Sequence, residues 1–306
     1  MVTAVNSSDC SIGLPAGLLY EIGRNPTFTR GEAEFGLPVA MVRGTTPMTR
    51  PRADASAAPK PAEATLTSLY ADWRRLGIAF TGKASPGPVD VERLVLRTVN
   101  VSSADERLTV CAASWLACFH DFVDGRRLSE MTRASTAHVR AYLGALLSLA
   151  IEAPEGAGRA PQFDAALSHC RHLRKARAYY DSAEQMPVYR EWMRTHSLPL
   201  FNRWGLWHDE VTLKRNSLRR LDSLLEVPEL RVRALCGPSI EAACLTQTLH
   251  RVTNARLLSR EIDATYAATH AAVQRLIGRG LLQRRRNGVR QELRLSPMSL
   301  LALGTR

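Results

Sequence analysis

"LLQRRRNGVRQELRLS" (residues 281–296) sets two short runs on either side of an Asn-Gly pair, and five of its sixteen residues are Arg. Asn-Gly is the preferred pair for a two-residue type I′ hairpin, because both central positions need positive φ. After Asn287-Gly288, the residues Val289, Gln291, Leu293 and Leu295 alternate with Arg290, Glu292, Arg294 and Ser296. That period of two is the mark of a half-buried strand. The stretch therefore predicts a hairpin, and it places dense positive charge on it.

Working back from the hairpin, the spacing predicts three helices. They are SIEAACLTQTLHRV (239–252), SREIDATY (259–266) and ATHAAVQRLIGRG (268–280), with a short break at Asn254. Ser259 is of a type that caps a helix N-terminus, and Gly280 suits a left-handed C-terminal cap. In the third helix Val273, Leu276 and Ile277 share a face. Thr269, His270, Gln274 and Arg275 lie wholly or partly on the other. Three helices and a two-stranded hairpin with an arginine-rich tip follow one another in the order of a winged helix.

The segment "LSREIDATYAATHAAVQRLIGRGLLQRRRNGVRQELRLS" (258–296) resembles the winged helix-turn-helix domains of bacterial transcription regulators. The features that carry the likeness are "SREI" in the second helix, "AAVQRLIGRGLL" running into the first wing strand, and the Asn-Gly tip. One departure is the connection "DATYAATH", which lacks the usual Gly. The resemblance implies that the third helix enters the major groove of double-stranded DNA and the wing lies along a backbone or in the minor groove. Thr269, His270, Gln274 and Arg275 would then face base edges and nearby phosphates, with Arg279 grouped beside them. Gln can read adenine and Arg guanine through paired hydrogen bonds. Arg284, Arg285, Arg286 and Arg290 would hold phosphates, blind to sequence and sensitive to salt.

The charge distribution points the same way. The chain of 306 residues has a net charge of +12, which favours an acidic partner such as nucleic acid. Residues 251–306 hold eleven Arg and three acids, a local excess of eight, whereas residues 1–63 hold six bases and six acids. No run of 18 apolar residues is present, so no membrane span is expected. The N-terminus lacks the basic and apolar regions of a secretory signal, which points to the cytoplasm. Six scattered cysteines without a CxxC read as reduced thiols.

Length suggests two domains of about 150 residues. Residues 1–63 read as a mobile tail, because TTPMTRPRADASAAPKPAEA (45–64) is linker-like; Met41 or Met48 could be the true start. Residues 64–236 read as a helical domain, with helices expected over 89–99, 103–123, 128–151, 162–181, 186–196, 209–226 and 228–236. Ser103 and Glu106 have capping-box spacing. In TLTSLYADWRRLGIAF, Leu66, Leu69, Tyr70, Trp73, Leu76 and Phe80 make one apolar stripe, stopped at Pro86-Gly87-Pro88. No run of alternating strands is expected before residue 280. Residues 237–306 are the winged unit.

Other motifs carry less. "GIAFTGKAS" (77–85) nearly matches a phosphate-binding loop, but that loop needs a strand before it and a helix after it. Arg133–His138 and Arg203–His208 fit the R-x4-H spacing of some helical ribonucleases, a spacing expected by chance among 8 His and many Arg. His169, Cys170 and His172 lack a second ligand pair at zinc spacing. In "RWGLWHDEVTLK", Trp204, Leu206 and Trp207 read as loop anchors and Asp209 as a helix cap rather than an acid-base site with His208.

The expectation is a mainly α protein, a helical domain followed by a winged helix, acting as a DNA-binding transcriptional regulator and a homodimer. No catalytic, metal or cofactor site is expected. The helical domain would carry dimerisation, a protein partner or a ligand. The rival readings are a helical nuclease steered to DNA by the winged helix, and a DNA-binding subunit of a defence or mobile-element complex.

Overall fold

Apolar residues recurring every three or four positions dictate helices, and helices dominate the fold. The computed structural model describes residues 61–251, 253–287 and 290–303, with the side chains of 61, 62, 286, 287, 290 and 291 excepted. The helices are α1 (Pro61–Arg75), α2 (Val91–Val101), α3 (Glu106–Phe119), α4 (Gly125–Ala134), α5 (Ala137–Glu152), α6 (Asp164–His169), α7 (Asp181–Glu184), α8 (Pro187–His196), α9 (Pro199–Asn202), α10 (Leu221–Leu224), α11 (Pro228–Cys236), α12 (Ile240–His250), α13 (Ala255–Glu261), α14 (Tyr266–Gly278) and α15 (Pro297–Ala302). The strands are β1 (Arg177–Ala178), β2 (Leu206–Trp207), β3 (Leu282–Asn287) and β4 (Arg290–Leu295). The tail 1–60, with its two internal Met, lies outside the described residues. No helix among the described residues is long and apolar enough to cross a membrane.

The first core is centred on α5, which is buried from Ala141 to Ala150 and packs on α2 and α3. Its two largest members satisfy their indole N–H groups. Trp73 donates to Thr98 Oγ1 (2.8 Å) and Trp115 to the Leu76 carbonyl (2.8 Å). Their rings meet edge to face with centroids 5.6 Å apart, an arrangement that the aromatic quadrupole favours.

Several predicted elements are corrected. The first helix ends at Arg75, not at Pro86, because Gly77 adopts φ +95° and turns the chain. The stretch 128–151 is two helices, α4 and α5, broken at Ser135-Thr136, where Thr136 caps α5 by accepting from the Val139 N–H. Of 162–181 only a six-residue helix and the four-residue α7 form. Between them Arg177–Ala178 pairs in parallel with Leu206–Trp207, a two-residue sheet too short to leave a period-two pattern. Residues 209–220 hold no α-helix, so Asp209 caps none; its carboxylate meets His208 Nδ1 (3.0 Å). Asp105 rather than Ser103 caps α3, accepting from the Leu108 N–H (2.8 Å), while Ser103 donates to Asp181.

Contacts divide the chain into residues 1–56 and residues 57–306, and every described residue belongs to the second. Within it lie two main hydrophobic clusters. One runs from Leu69 to Leu230 and the other from Val232 to Leu303, so the change falls inside α11.

That helix is fastened by buried charge. Glu229 accepts from Arg75 Nε (2.7 Å), Arg75 Nη2 (3.1 Å) and the Val89 N–H (3.1 Å). One turn on, Arg233 donates to both oxygens of Glu92 (2.6 and 2.9 Å) and to the Phe122 carbonyl (2.6 Å). Glu92 also receives Arg127 (3.0 Å) and the Asp124 N–H (2.8 Å), and Arg127 forks onto Asp90 (2.7 and 2.6 Å). Burial pushes the Glu92 carboxyl up. The charges of Arg233 and Arg127 outweigh it and hold it at about 2.

Removing one partner of such a pair leaves a buried charge uncompensated, at about 3–5 kcal/mol. Arg233→Leu should therefore lower stability by about that amount in urea unfolding at pH 7, and Arg233→Leu/Glu92→Leu should recover most of the loss. A carboxylate held below its unfolded value, about 4.3, gives stability that is whole above that value and lost as pH falls through the folded one. The gap between wild type and Arg233→Leu should accordingly narrow from about pH 4.3 downward.

Candidate nucleic-acid interface

The second core is assembled by short caps and tight turns. Asn254 accepts from the Arg256 and Leu257 N–H groups (3.1 and 3.0 Å) and starts α13. This corrects the expectation that Ser259 caps that helix. Ser259 sits inside α13 and bonds back to the Arg256 carbonyl (2.9 Å). The missing Gly between α13 and α14 is replaced by Asp263 at φ +53°, since Asp is among the few side chains that tolerate the left-handed region. The Ala264 N–H then reaches back to the Ser259 carbonyl (3.0 Å), closing the helix end. Thr265 caps α14, accepting from the Ala268 N–H (3.2 Å).

Gly280 ends α14 as expected, at φ +71°. Its N–H bonds to the Ile277 carbonyl and the Leu281 N–H to the Leu276 carbonyl (both 2.9 Å), which is a Schellman end. β3 and β4 pair antiparallel with Leu282 opposite Leu295, Arg284 opposite Leu293, Arg285 opposite Glu292 and Asn287 opposite Arg290. The connecting residues are thus 288–289 rather than Asn287-Gly288, and this tip lies outside the described residues. Thr253 adds a third rung on β4, exchanging backbone hydrogen bonds with Leu293 (2.7 and 3.4 Å).

The candidate residues divide by where this frame puts them. Thr269 is fully buried, with its Oγ1 unpartnered, in line with Ala272, Val273 and Leu276. It faces the core, so its assignment to base edges is withdrawn. His270 is exposed and Gln274 half-buried, and their side chains meet at 3.1 Å. Arg275 is held by Glu241 of α12 through Nε (2.7 Å) and Nη2 (2.6 Å). Arg279 is exposed at the far end of α14 from Tyr266. Arg284 and Arg285 are both exposed and point to opposite faces of β3. The side chains of Arg286 and Arg290 lie outside the described residues.

Three residues at this surface were not anticipated: Arg256 and Arg260 of α13, and Tyr266 at the start of α14, which is 56% exposed. A cleft of about 200 Å³ is lined by Asn254, Arg256, Tyr266, His270 and Arg284. A second, adjoining at Arg256 and Tyr266, adds Arg260. The signal was present as an i, i+4 arginine pair, but placing the helix start at Ser259 left both Arg256 and the cap Asn254 in a loop.

The electrostatics of the two cores differ. Arginines of the first core are largely spoken for: Arg75, Arg97, Arg126, Arg127, Arg177 and Arg203 each meet a carboxylate. Arg256, Arg260, Arg279, Arg284 and Arg285 form no ion pair and donate no side-chain hydrogen bond among the described residues. The Arg251–Glu261 and Arg294–Glu292 pairs occupy the remaining acids near them. The result is positive charge that only solvent or a partner neutralises.

The lesser motifs do not assemble. No α-helix begins after Lys83 until Val91, so the phosphate-loop context is missing. Arg203 is forked onto Glu152, whereas His208 is buried and stacked on Phe201 (centroids 5.1 Å). No hydrogen bond or ion pair joins Arg133 to His138 among the described residues. Burial, and then the Arg177 charge, lower the His138 pKa. Burial lowers that of His208 against the opposing pull of Asp209. No group of three His, Cys, Asp or Glu among the described residues could hold a metal, and Cys111, Cys118, Cys170, Cys236 and Cys244 are free thiols. No protein-family model matches the chain, and neither a curated protein nor a solved structure matches it.

A buried hydroxyl without a partner costs about 1–3 kcal/mol of desolvation. Thr269→Val keeps the shape and removes that group. It should be neutral or stabilising by up to about 1 kcal/mol in urea unfolding, and should leave affinity for duplex DNA unchanged. A large loss of affinity would return Thr269 to the interface.

Proposed function

We propose that residues 237–303 are a winged helix-turn-helix and that the protein binds double-stranded DNA through it, as a transcriptional regulator. The observation that carries the reading is the set of acid-free arginines, Arg256, Arg260 and Arg284, gathered with Tyr266 and His270 on one surface. A polyanion neutralises such charges and releases its own counterions, which is the main source of affinity in sequence-blind binding. The order of elements supports it: helix, single β-rung, two helices across a tight turn, then a hairpin whose second strand pairs with the rung.

On this reading α14 enters the major groove by its exposed N-terminal half. Tyr266, His270 and Gln274 face the bases, and Arg256 and Arg260 of α13 meet the flanking phosphates with Arg284. Arg275, tied to Glu241, positions α14 against α12 rather than reading guanine. Arg285 points from the other face of β3 and serves the wing.

Fluorescence anisotropy with duplex DNA at several salt concentrations tests this. Arg256→Ala and Arg284→Ala should each weaken binding to every sequence and reduce the salt slope by about one. Gln274→Ala and His270→Ala should change preference between sequences instead. A protein that binds duplex with no salt dependence, or whose affinity is untouched by Arg256→Ala/Arg284→Ala, does not use this surface.

A further inference from the structure

The first core carries a surface that the DNA reading leaves unused. α8 is held to the body by one buried side chain, Met193, packed with Ala178 and Ala183. The rest of its apolar content faces outward: Val188 is 86% exposed, Trp192 49% and Tyr189 43%, with Met186 beside them at 51%. Aromatic residues, Met and Arg are the side chains enriched at protein interfaces. The charges on the helix are already neutralised within it or nearby. Glu191 meets Arg194 (2.9 Å), and Arg190 lies 3.7 Å from Glu184.

Next to α8 opens a cleft of about 410 Å³ between α3 and the extended chain at 210–214. Burial, and then the charges of Asp209 and Glu106, push the Tyr189 phenol up, which puts that ring at the cleft's edge. Glu106, Arg107, Glu210 and Lys214 line it. All four are exposed, and none forms an ion pair among the described residues. Arg107 lies over the Phe80 ring instead, 5.5 Å from its centre.

We propose that the α8 face and this cleft form a two-fold interface between two copies of the chain. A two-fold contact sets a patch against itself, so it must be complementary to its own copy. A patch of one sign would repel its copy, and a chain of net charge +12 repels itself over most of its surface. This face is the exception. It offers two acids and two bases with no internal partner, so each can meet the opposite sign across the axis. A two-fold axis crossing α8 between Arg190 and Glu191 sets Tyr189 of one copy against Trp192 of the other and places Arg190 opposite Glu191. The other exposed apolar side chains, Met298 and Leu301 on α15, have no charged residue on their helix to set such a register. The proposal does not rest on DNA binding, since it concerns the other core and is read as mass.

Sedimentation equilibrium of the full chain, over a range of concentrations and without DNA, decides it. The wild type should sediment at twice the chain mass and Trp192→Glu at once the chain mass. The thermal midpoint extrapolated to low concentration should be unchanged, because the side chain is exposed. Arg107→Glu/Lys214→Glu leaves four acids in the cleft and should weaken the dimer most at low salt, where like charges are least screened. Leu301→Glu should remain a dimer. A wild type that stays monomeric throughout overturns the proposal. So does a dimer that survives Tyr189→Glu/Trp192→Glu, or one that Leu301→Glu dissolves, which would move the interface to α15.

Discussion

Everything in the C-terminal unit is oriented by nine residues, Pro228–Cys236, and by two of them in particular. Glu229 and Arg233 lie one turn apart on α11, both buried, and each reaches into the first core for its partner. On the same helix Leu230 belongs to one hydrophobic cluster and Val232 to the other. Buried ion pairs are weak sources of net stability, because desolvation offsets most of the attraction. Their worth here is directional. A hydrophobic contact tolerates sliding, whereas a fork of hydrogen bonds from Arg233 to both oxygens of Glu92 is satisfied in one geometry. Any rotation of α11 leaves a charge in the interior without a partner. The seam is therefore set by the cost of its alternatives.

The same chemistry explains why the protein is electrically two-sided. Arginine can be spent on structure, where its fork meets a carboxylate, or left open to a partner. The first core does the former repeatedly. The second core has few acids, and Glu241, Glu261 and Glu292 are taken up by Arg275, Arg251 and Arg294. Arg256, Arg260 and Arg284 are what remains, and the fold collects them where α13, α14 and β3 meet. A net charge counted along the chain mixes both uses. Sorting arginines by whether an acid answers them separates the charge that folds the protein from the charge that faces outward.

That distinction marks how far the sequence could be read. The helical class was legible because its period is long and repeated, and the caps at Thr265 and Gly280 follow from residue type. Placement of Thr269 was missed by one step around a helical wheel, where the buried stripe is broader than Val273, Leu276 and Ile277 suggested. The hairpin was legible, but its register was not. Asn287-Gly288 favours one turn by local propensity, and pairing Leu282 with Leu295 sets another from the core. Propensity is a few tenths of a kcal/mol where burial of two leucines is worth about 3–6. The α11 seam left no local signal at all, since Glu229 and Glu92 are 137 positions apart in the chain and a buried carboxylate looks in sequence like any surface one.

A seam fixed in this way changes what the two faces can do together. In a regulator whose DNA-binding unit hangs on a flexible linker, the spacing between two bound sites is set by the DNA, and affinity falls by the entropy of ordering the linker. Here α11 leads into α12 through two residues, Gly237 and Pro238, and packs directly against it. The orientation of α14 relative to the first core is thus part of the folded state. Two copies joined through the first core would present their arginine surfaces at one separation and one angle. Discrimination between sites would then come from the spacing of half-sites as much as from the few side chains that reach the bases. With Gln274 and His270 the main polar groups on the exposed half of α14, that geometric term is the larger share of selectivity this fold can supply.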